Sequence, residues 1–487
     1  MELLTELSRE GAGRYSLPPL AVPEQPMLPD QYLRKELPLP SATEQEITRE
    51  FMLRSNTNIS VDSAALFPLG SCTMIYNPAL IRELPAHFSN LHPLQPVHTA
   101  QGALRLMYNL EKILSEFGGA DEGTLQPAAG AHSELTAIYM IEKYHRSNGE
   151  GKQRKCVLIP DSAHGTNPAT AAMAGYSLEN IITIPSDNRG RLDFDALTKI
   201  MEEKGSEVAA LMITQPNTFG IYDEKIRDIT SLLHEYGALV FSDGANSAAL
   251  TGRVKFMDLG VDAFHFNLHK TFGVPHGGGG PGAGFVGSSA QLAPFLPTPR
   301  IIKTERLFEL SYEHPDSIGT VSSAYGNFLA DVMSYVYIQL LGADGFREAS
   351  GHAVLAANYL RQKVGETLPI AFPSLTAHEF VALDRPIRGA GLKSIDLAKG
   401  LIDLGYYAPT VDFPHAGDIL HEKIGCLLIE PTHSATRKAM DDFATDLAEI
   451  VKHGMENPEW LLNAPYDLAV SRLKEAESDR DRITSWR

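Results

Sequence analysis

The chain has 487 residues, of which 43% are hydrophobic and 21% charged, a composition typical of a globular protein with about two to four domains. Its 60 acidic and 42 basic residues give a net charge of −18. Such an acidic chain is a poor binder of nucleic acid or anionic membranes, because both require basic surfaces.

Cysteine usage and the apolar runs favour a soluble cytoplasmic protein that contacts no membrane. Cys72, Cys156 and Cys426 are too few for a disulfide framework and form no CxxC pair, so no metal site is predicted. The opening residues MELLTELSRE lack the basic and apolar regions of a signal peptide. No apolar run approaches the roughly 18 residues that a membrane span requires.

The predicted elements begin with an extended arm. Seven prolines between residues 17 and 40 favour extended backbone, because proline fixes φ and lacks an N–H donor. Ser41–Glu44 then has the pattern of a capping box and predicts a helix that ends near Arg54. We therefore interpret residues 1–60 as an N-terminal arm and helix.

Helical and strand patterns alternate from about residue 100 to 310. Helices are predicted over Gln101–Phe117 and near 193–204 and 223–236. Short apolar runs with strand character are Cys156–Ile159, Ile181–Ile184, Val208–Ile213 and Ala238–Phe241. This alternation indicates βαβ units and a mostly parallel sheet, in which ligands bind at the carboxyl ends of the strands.

The pattern changes near residue 330. A long helix over Phe328–Leu341 is followed by predicted helices near 352–364, 394–404 and 434–454. We therefore expect a large α/β domain over residues 61–330 and a smaller C-terminal α+β domain over residues 331–487.

Two charged residues follow predicted strands. Lys270 comes after DAFHFN (262–267), where desolvation would lower its pKa and make it a nucleophile for Schiff-base chemistry; an exposed loop lysine is the alternative. Asp243 ends an apolar strand, where a carboxylate can keep a pyridine nitrogen protonated or can cap a helix. The glycine-rich loop after Lys270 contains GxGxxG, but Pro281 inside it argues against a dinucleotide site.

Four other segments have both a functional and an ordinary interpretation. Pro127–Glu134 opens a helix whose free N–H groups would fit a phosphate, or is a plain helix start. His164 could stack on a planar cofactor or be a hydrogen-bonded loop residue. Asn217 could reach a ring substituent or serve a turn. Cys72 has no histidine or lysine beside it in sequence, so a passive thiol is predicted.

Longer motifs carry a resemblance to a known family. The order of Lys270, Asp243 and His164 resembles that of fold-type I pyridoxal-phosphate (PLP) enzymes, whose fold is like that of aspartate aminotransferase. Over about residues 45–470 the chain more narrowly resembles glycine dehydrogenase (decarboxylating), the P-protein of the glycine cleavage system. The motifs are PLGSCTM (68–74), LQPAAGAH (125–132), DSAHGTNPA (161–169), DGAN (243–246), NLHKTF (267–272), PHGGGGPG (275–282), AANYL (356–360), HEFV (378–381), YYAPT (406–410) and LLIEPT (427–432).

The resemblance implies a set of site residues. Lys270 would bind PLP covalently, Asp243 would pair with the ring nitrogen and His164 would stack on the ring. Further cofactor contacts are implied for Ala131, His132, Asn246, His269 and Asn217. The first two would offer backbone N–H groups to the phosphate.

Two positions depart from the family pattern. Ile75 follows SCTM where a lysine is expected, and Ser133 stands where glycine is usual. Both departures concern local substrate or phosphate contacts rather than the residues that hold the cofactor ring.

The resemblance also implies a reaction and partners. Glycine would be decarboxylated and its aminomethyl group transferred to the lipoyl arm of H-protein, with the loop over 67–74 suspected as the arm's entry. In some members two subunits replace the two halves of one long chain, and a 487-residue chain with the Schiff-base lysine resembles subunit 2. Subunit 1 would then be a partner, in a heterotetramer of two plus two.

Rival functions remain at this point. Another fold-type I enzyme, such as an amino-acid decarboxylase or a cysteine desulfurase, is the nearest alternative. A desulfurase needs a mobile reactive cysteine in a C-terminal loop, whereas Cys426 lies inside the apolar run CLLI. A non-catalytic half that scaffolds a sister subunit is the third interpretation, and the presence of both Asp243 and Lys270 argues against it.

Overall fold

The computed structural model of the protein describes residues 4–12, 22–23, 28–34, 39–276, 282–323, 325–412, 424–468 and 471–482. The chain divides into two units, one of residues 1–60 with 465–487 and one of residues 61–464. Most of the predicted arm over 17–40 and the glycine run at 277–281 lie outside the described residues.

The first unit contains helix α1 (Glu44–Thr57), and its start corrects the sequence prediction. The capping box lies at Thr43 and Glu46 rather than at Ser41–Glu44. Thr43 Oγ1 accepts a hydrogen bond from the Glu46 N–H at 3.3 Å, and the Glu46 carboxylate accepts one from the Thr43 N–H at 2.9 Å. Thr43 is the residue with the extended backbone that an N-cap requires (φ −73°, ψ 155°), so the box forms there.

A mixed seven-stranded sheet forms the core of the described part of the second unit. Its strands are β1 (Glu122–Thr124), β2 (Cys156–Pro160), β3 (Ile181–Ile184), β4 (Val208–Thr214), β5 (Leu239–Asp243), β6 (Ala263–Asn267) and β7 (Gly284–Ser288). Their order across the sheet is β1-β7-β6-β5-β4-β2-β3. Strands β2 to β6 pair in parallel and β7 pairs antiparallel with β1 and β6, which confirms the predicted mostly parallel sheet.

Helices cover this sheet and the region that follows it. Those of the second unit are α2 (Ala79–Glu83), α3 (Gln101–Gly118), α4 (Gly130–Ser147), α5 (Thr166–Met173), α6 (Phe194–Lys204), α7 (Ile226–Glu235), α8 (Phe328–Val364), α9 (Ser394–Asp403), α10 (Arg437–Glu456) and α11 (Pro458–Asn463). In the first unit, α12 (Glu475–Arg480) follows. No helix of the described ranges is long and apolar enough to cross a membrane.

The chain beyond residue 300 builds two smaller sheets. Strands β8 (Arg300–Lys303) and β9 (Phe308–Ser311) form a hairpin. Strands β10 (Phe380–Leu383), β11 (Thr410–Val411) and β12 (Cys426–Ile429) form an antiparallel sheet in the order β10-β12-β11. This sheet packs with α8, α9 and α10 around its own hydrophobic core, as predicted for the α+β region.

Helix α8 contains the two predicted helices. The sequence predicted separate helices over Phe328–Leu341 and 352–364, and the helical backbone of α8 is interrupted between them. The backbone of Gly342 is non-helical (φ 64°, ψ 180°) and marks a kink between the two predicted segments. Because α8 crosses residue 330, the predicted domain boundary there remains a proposal.

Candidate functional site

A cavity of about 370 Å³ lies at the carboxyl ends of β4, β5 and β6, where a parallel sheet is expected to bind ligands. The loop that carries Cys72 closes one side, and the segment before β10 contributes His378 and Glu379. Among the predicted site residues, those that line the cavity are Ala131, His164, Asn217, Asp243, Asn246, His269 and Lys270. His132 stands beside it, and its Nδ1 accepts a hydrogen bond from the Ala128 N–H at 3.2 Å.

Asp243 is the last residue of β5 and is only 2% exposed. Its Oδ2 accepts hydrogen bonds from Asn167 Nδ2 at 3.2 Å and Thr214 Oγ1 at 3.4 Å, and its Oδ1 accepts one from the Ala245 N–H at 3.0 Å. Burial alone would raise the pKa of Asp243, but the imidazole of His265, the Ala245 amide, the imidazole of His164 and the charge of Lys270 together lower it. The site therefore holds an ionised carboxylate under the cavity.

Sheet register explains the surroundings of this carboxylate. Thr214 on β4 and His265 on β6 are the direct pairing partners of Asp243. His265 Nε2 lies 3.5 Å from Asp243 Oδ1, and burial lowers the pKa of His265 to about 4. The imidazole is consequently neutral at physiological pH, so Asp243 keeps its charge for a partner on the cavity side.

Lys270 lies in the turn that follows β6. Its N–H donates to the carbonyl of Asn267, the last residue of β6, at 3.2 Å. The neighbouring His269 also lines the cavity, and burial together with the charge of Lys270 lowers the pKa of this imidazole to about 4. Lys270 and Asp243 thus reach one cavity from adjacent strand ends, as the sequence predicted.

The start of α4 faces the same cavity. Gly130 and Ala131 line it, and the first turn of a helix has backbone N–H groups without an intrahelical partner. A Cβ atom on Gly130 would lie 2.4 Å from Asn267 Oδ1, so a larger residue here would require this amide to move. Asn267 Oδ1 is itself buried without a hydrogen-bond partner in the described structure.

Asn217 and Asn246 line the cavity, but their amides are engaged in the protein. Asn217 Nδ2 donates to the Gly190 carbonyl at 2.6 Å, and its Oδ1 accepts from the N–H groups of Phe219 and Ile221. This favours the turn interpretation of Asn217, and its contact with a cofactor stays a prediction. Asn246 Nδ2 donates to Glu430 Oε2 at 3.0 Å.

His164 is joined to two other side chains. Its Nδ1 lies 2.7 Å from Thr166 Oγ1 and accepts the Thr166 N–H at 3.2 Å. Thr166 Oγ1 in turn lies 2.7 Å from Glu134 Oε1, and Thr170 Oγ1 lies 3.2 Å from Glu134 Oε2. Burial, reinforced by the charge of Asp243, raises the pKa of Glu134 to about 8.

Two buried carboxylates hold the loop that closes the cavity. Glu379 Oε2 accepts the Ser71 N–H at 2.5 Å, and Glu430 Oε2 accepts the Thr73 N–H at 3.0 Å. Ser71 and Thr73 both have positive φ (63° and 51°), a conformation that costs non-glycine residues energy. His378 Nε2 lies 3.4 Å from Glu379 Oε1, so the imidazole of His378 lies next to the negative charge of these two carboxylates.

Cys72 lies between those two strained residues. Burial raises the pKa of its thiol to about 11, which supports the predicted passive thiol. Gly70 is needed before it, because a Cβ there would lie 2.5 Å from the carbonyl oxygen of Leu428.

The two departures from the family pattern lie in the protein core. Ile75 is 4% exposed and belongs to the main hydrophobic cluster. Ser133 is fully buried, and its Oγ donates to the Ala129 carbonyl at 3.0 Å. Neither side chain is among the described residues that line the cavity.

Sequence reasoning missed several functional candidates. Glu379 and Glu430 were within the motifs HEFV and LLIEPT and Glu134 ended the segment Pro127–Glu134, but none of the three was assigned a role. Their signal was the presence of a charged residue inside an otherwise apolar or small-residue segment, which in a buried element requires a partner.

Comparisons with known proteins agree with the fold. The family model described as "Aminotransferase class-V" matches residues 111–298, and "Glycine dehydrogenase, C-terminal domain" matches residues 349–462. A crystal structure of glycine decarboxylase (P-protein) in inhibitor-bound form has a TM-score of 0.71 at 20% identity and covers 87% of this chain and 93% of that one. Oryza sativa TDC with PLP and tryptamine has a TM-score of 0.65 at 13% identity, covering 87% and 91%. The fold is therefore that of the fold-type I PLP class.

Curated relatives narrow this class to one family. The protein of Caldanaerobacter subterraneus subsp. tengcongensis is 44% identical, over 99% of this chain and 98% of its own length. The Thermosipho africanus protein is also 44% identical, over 99% and 98%. Both bear the name probable glycine dehydrogenase (decarboxylating) subunit 2, and the chain belongs to this family.

Proposed function

We propose that the chain is the PLP-binding subunit of a two-subunit glycine decarboxylase. It would decarboxylate glycine and transfer the aminomethyl group to the lipoyl arm of H-protein. The observation that carries the proposal is the meeting of Asp243 and Lys270 in one cavity at adjacent strand ends, in a chain of the glycine dehydrogenase family.

The residues of the cavity fit PLP. The ionised Asp243 would hold a proton on the ring nitrogen, and His164 would lie against the ring. The N–H groups at Ala131 and His132, in the first turn of α4, would meet the phosphate. Lys270 would hold the cofactor through its Nζ until the amine of glycine replaces it. When bound, PLP supplies the electron sink for the C–C bond that breaks.

The overall reaction balances without a further oxidant. The Cα–C bond of glycine breaks and CO2 leaves. A bond then forms between the Cα atom and one sulfur of the lipoyl disulfide. The S–S bond breaks, the second sulfur takes up a proton, and the lipoyl arm is thereby reduced. The loop with Ser71 and Cys72 lines the cavity and is where we expect the arm to enter.

The partners follow from the family. The name of the relatives supports a subunit 1, and we propose a heterotetramer of two plus two that receives lipoylated H-protein. We also propose a cytoplasmic location. The three cysteines form no disulfide, as is usual in a reducing compartment.

The rival enzymes have less support. A cysteine desulfurase requires a reactive thiol, but Cys426 is fully buried in β12 and the pKa of Cys72 is raised to about 11. A purely scaffolding subunit would not need the charged Asp243 beneath an open cavity.

Absorbance spectroscopy tests cofactor binding. The purified chain with PLP is expected to show the visible band of a lysine-bound cofactor, and Lys270→Ala is expected to abolish it. Glycine should perturb the band and cysteine should release no sulfide. A wild-type chain that remains colourless with excess PLP would contradict the proposal, and sulfide release from cysteine would favour the desulfurase.

A further inference from the structure

Thr166 links two titratable side chains of the cavity through a single hydroxyl. Its Oγ1 lies 2.7 Å from His164 Nδ1 and 2.7 Å from Glu134 Oε1. Both distances are short enough for strong hydrogen bonds. A threonine hydroxyl has only one hydrogen, so it can donate to one of these neighbours and must accept from the other.

The backbone decides the direction of this chain of hydrogen bonds. The Thr166 N–H donates to His164 Nδ1 at 3.2 Å, so Nδ1 carries no hydrogen. The Thr166 hydroxyl must therefore also donate to Nδ1, and its oxygen must accept a hydrogen from Glu134. Only a protonated carboxyl can supply that hydrogen.

The environment of Glu134 favours its protonated form. The side chain is 3% exposed, and its second oxygen accepts a hydrogen bond from Thr170 at 3.2 Å. The charged groups that face it are Asp243 from β5, which disfavours a second negative charge, and Lys270 from the turn after β6, which favours one. Burial and Asp243 prevail, and the pKa of Glu134 is raised to about 8.

We propose that Glu134 is a positioning residue that acts through Thr166 to hold His164 as the neutral imidazole with its hydrogen on Nε2. This relay, the hydrogen-bonded chain from Glu134 through Thr166 to His164, fixes the tautomer of the one imidazole that the proposed function places against the cofactor ring. A neutral ring there adds no positive charge beside Lys270. The purpose of the relay rests on the proposed function, but its existence depends only on the side chains of this chain.

Nitrogen-15 NMR of histidine-labelled full-length protein, with and without PLP, tests the relay. The signal of His164 is assigned by its loss in His164→Phe. We expect the Nε2–H tautomer at pH 6 to 7, and a change of its shift as pH rises through about 8, where Glu134 loses its proton. Infrared spectra should show a protonated carboxyl band at pH 6 that Glu134→Gln removes.

Matched variants separate the relay from a structural role. Glu134→Gln keeps a donor toward Thr166 at every pH, so the Nε2–H tautomer should persist and its pH-dependent change should disappear. Thr166→Ser should retain the pH-dependent change of the His164 shift, whereas Thr166→Val, which keeps the backbone N–H donor but removes the hydroxyl, should lose it. Thr170→Val is the control, because it removes a hydroxyl from Glu134 without touching His164.

Two results would overturn the relay. One is a pH-dependent change in Glu134→Gln that equals that of the wild type, and the other is an unaltered pH-dependent change in Thr166→Val. If Thr166→Val does not fold, the comparison of Glu134→Gln with the wild type decides alone. Because the spectra are also recorded without PLP, a failure of the relay is distinguishable from a failure of cofactor binding.

Discussion

At the residue scale, the site depends on how buried charges are partnered. Asp243 lies beneath the cavity with three hydrogen-bond donors and a neutral imidazole around it, and its pKa is lowered although it is buried. His265 is also buried, and burial lowers the pKa of its imidazole to about 4 because it disfavours the charged form. The pair therefore carries one net negative charge, which a protonated ring nitrogen would neutralise.

Asp243→Asn keeps the shape of this side chain and removes its charge. We expect kcat for glycine decarboxylation to fall by about 100-fold or more, because two pKa units of lost proton affinity at the ring nitrogen already correspond to about 100-fold. Steady-state kinetics with saturating PLP measures the change. Asn167→Ala is the control, since it removes a neutral donor to the same carboxylate and should cost far less. Near-wild-type kcat in Asp243→Asn would contradict the assignment.

Residue patterns revealed only part of the site. Lys270, Asp243 and His164 could be predicted, because each follows an apolar strand and thus lies at the sheet edge where ligands bind. The contact of Glu430 with Asn246 joins residues 184 positions apart, and no local pattern predicts it. Asn217 could be placed in its loop, but whether its amide faced a ligand or its own backbone depended on tertiary structure.

At the scale of elements, the loop over Gly70–Thr73 is held by residues from the α+β region. Glu379 precedes β10 and Glu430 follows β12, and their carboxylates accept N–H groups of the strained loop. The small antiparallel sheet thereby positions one wall of a cavity whose opposite wall belongs to the large sheet. Reactivity of Cys72 should report on how firmly this loop is held.

Thiol labelling of the full chain measures that reactivity. At pH 8 the wild-type Cys72 should react slowly, because its pKa of about 11 leaves about one thiolate in a thousand. Glu379→Leu should accelerate labelling about 10- to 100-fold, since losing a hydrogen bond to a charged group, about 1.5–3 kcal/mol, makes loop opening more frequent. Glu379→Gln retains an acceptor and should stay nearer the wild type.

The remaining cysteines serve as internal controls for this experiment. Cys156 and Cys426 are buried in β2 and β12 and should be unaffected by either variant. Labelling that accelerates equally at all three cysteines would indicate general unfolding. An unchanged Cys72 rate in Glu379→Leu would show that the carboxylate does not hold the loop.

Helix α8 contains a buried acid that the proposed reaction does not use. Asp331 is fully buried in the first turn of α8, neither carboxyl oxygen has a partner in the described structure, and burial raises its pKa well above the ordinary value. A raised folded-state pKa stabilises the fold at low pH, and this contribution is lost as pH rises through the folded value.

Asp331→Asn should therefore flatten the pH dependence of stability. Between pH 4, near the ordinary carboxyl value of 3.8, and pH 9, the wild-type unfolding temperature should fall more than that of the variant, because the wild type loses up to about 1.4 kcal/mol of stability per pH unit until the folded-state pKa is reached. Calorimetry at both pH values measures the difference. Asp195→Asn, an exposed aspartate in the first turn of α6, should show no such effect. Parallel curves of unfolding temperature against pH for the wild type and Asp331→Asn would contradict this account.

Elements were predicted better than their ends and junctions. Apolar runs located β2, β4 and β5 closely, because strands buried on both faces of a parallel sheet are uniformly apolar. The capping box was placed two residues early, since both Ser41 and Thr43 are suitable caps and only the backbone distinguishes them. The non-helical Gly342 in α8 lies between the two helices that the sequence predicted.

At the scale of the whole molecule, the chain holds a complete fold-type I architecture and belongs to a family named as one subunit of two. Its net charge of −18 disfavours binding to nucleic acid. The proline-rich arm over residues 17–40 was predicted to be extended, but Asp30–Tyr32 within it form a short 3-10 helix; we expect the arm to lie against the sister subunit.

Deletion of residues 1–40 tests this role of the arm. The shortened chain should still bind PLP, because the cavity is built by residues 70–410, but less of it should co-purify with tagged subunit 1. Size-exclusion chromatography with multi-angle light scattering would measure the loss of the complex and the stoichiometry of the intact one. Unchanged assembly would contradict a role for the arm in subunit association.

Glycine–bicarbonate exchange is the most direct test of the proposed function. The full chain, mixed with subunit 1 and lipoylated H-protein, should incorporate labelled bicarbonate into the carboxyl group of glycine. Lys270→Ala, and the wild type with H-protein that lacks the lipoyl group, should show little exchange. A wild-type chain that binds PLP and assembles with both partners, yet exchanges no label, would contradict the account.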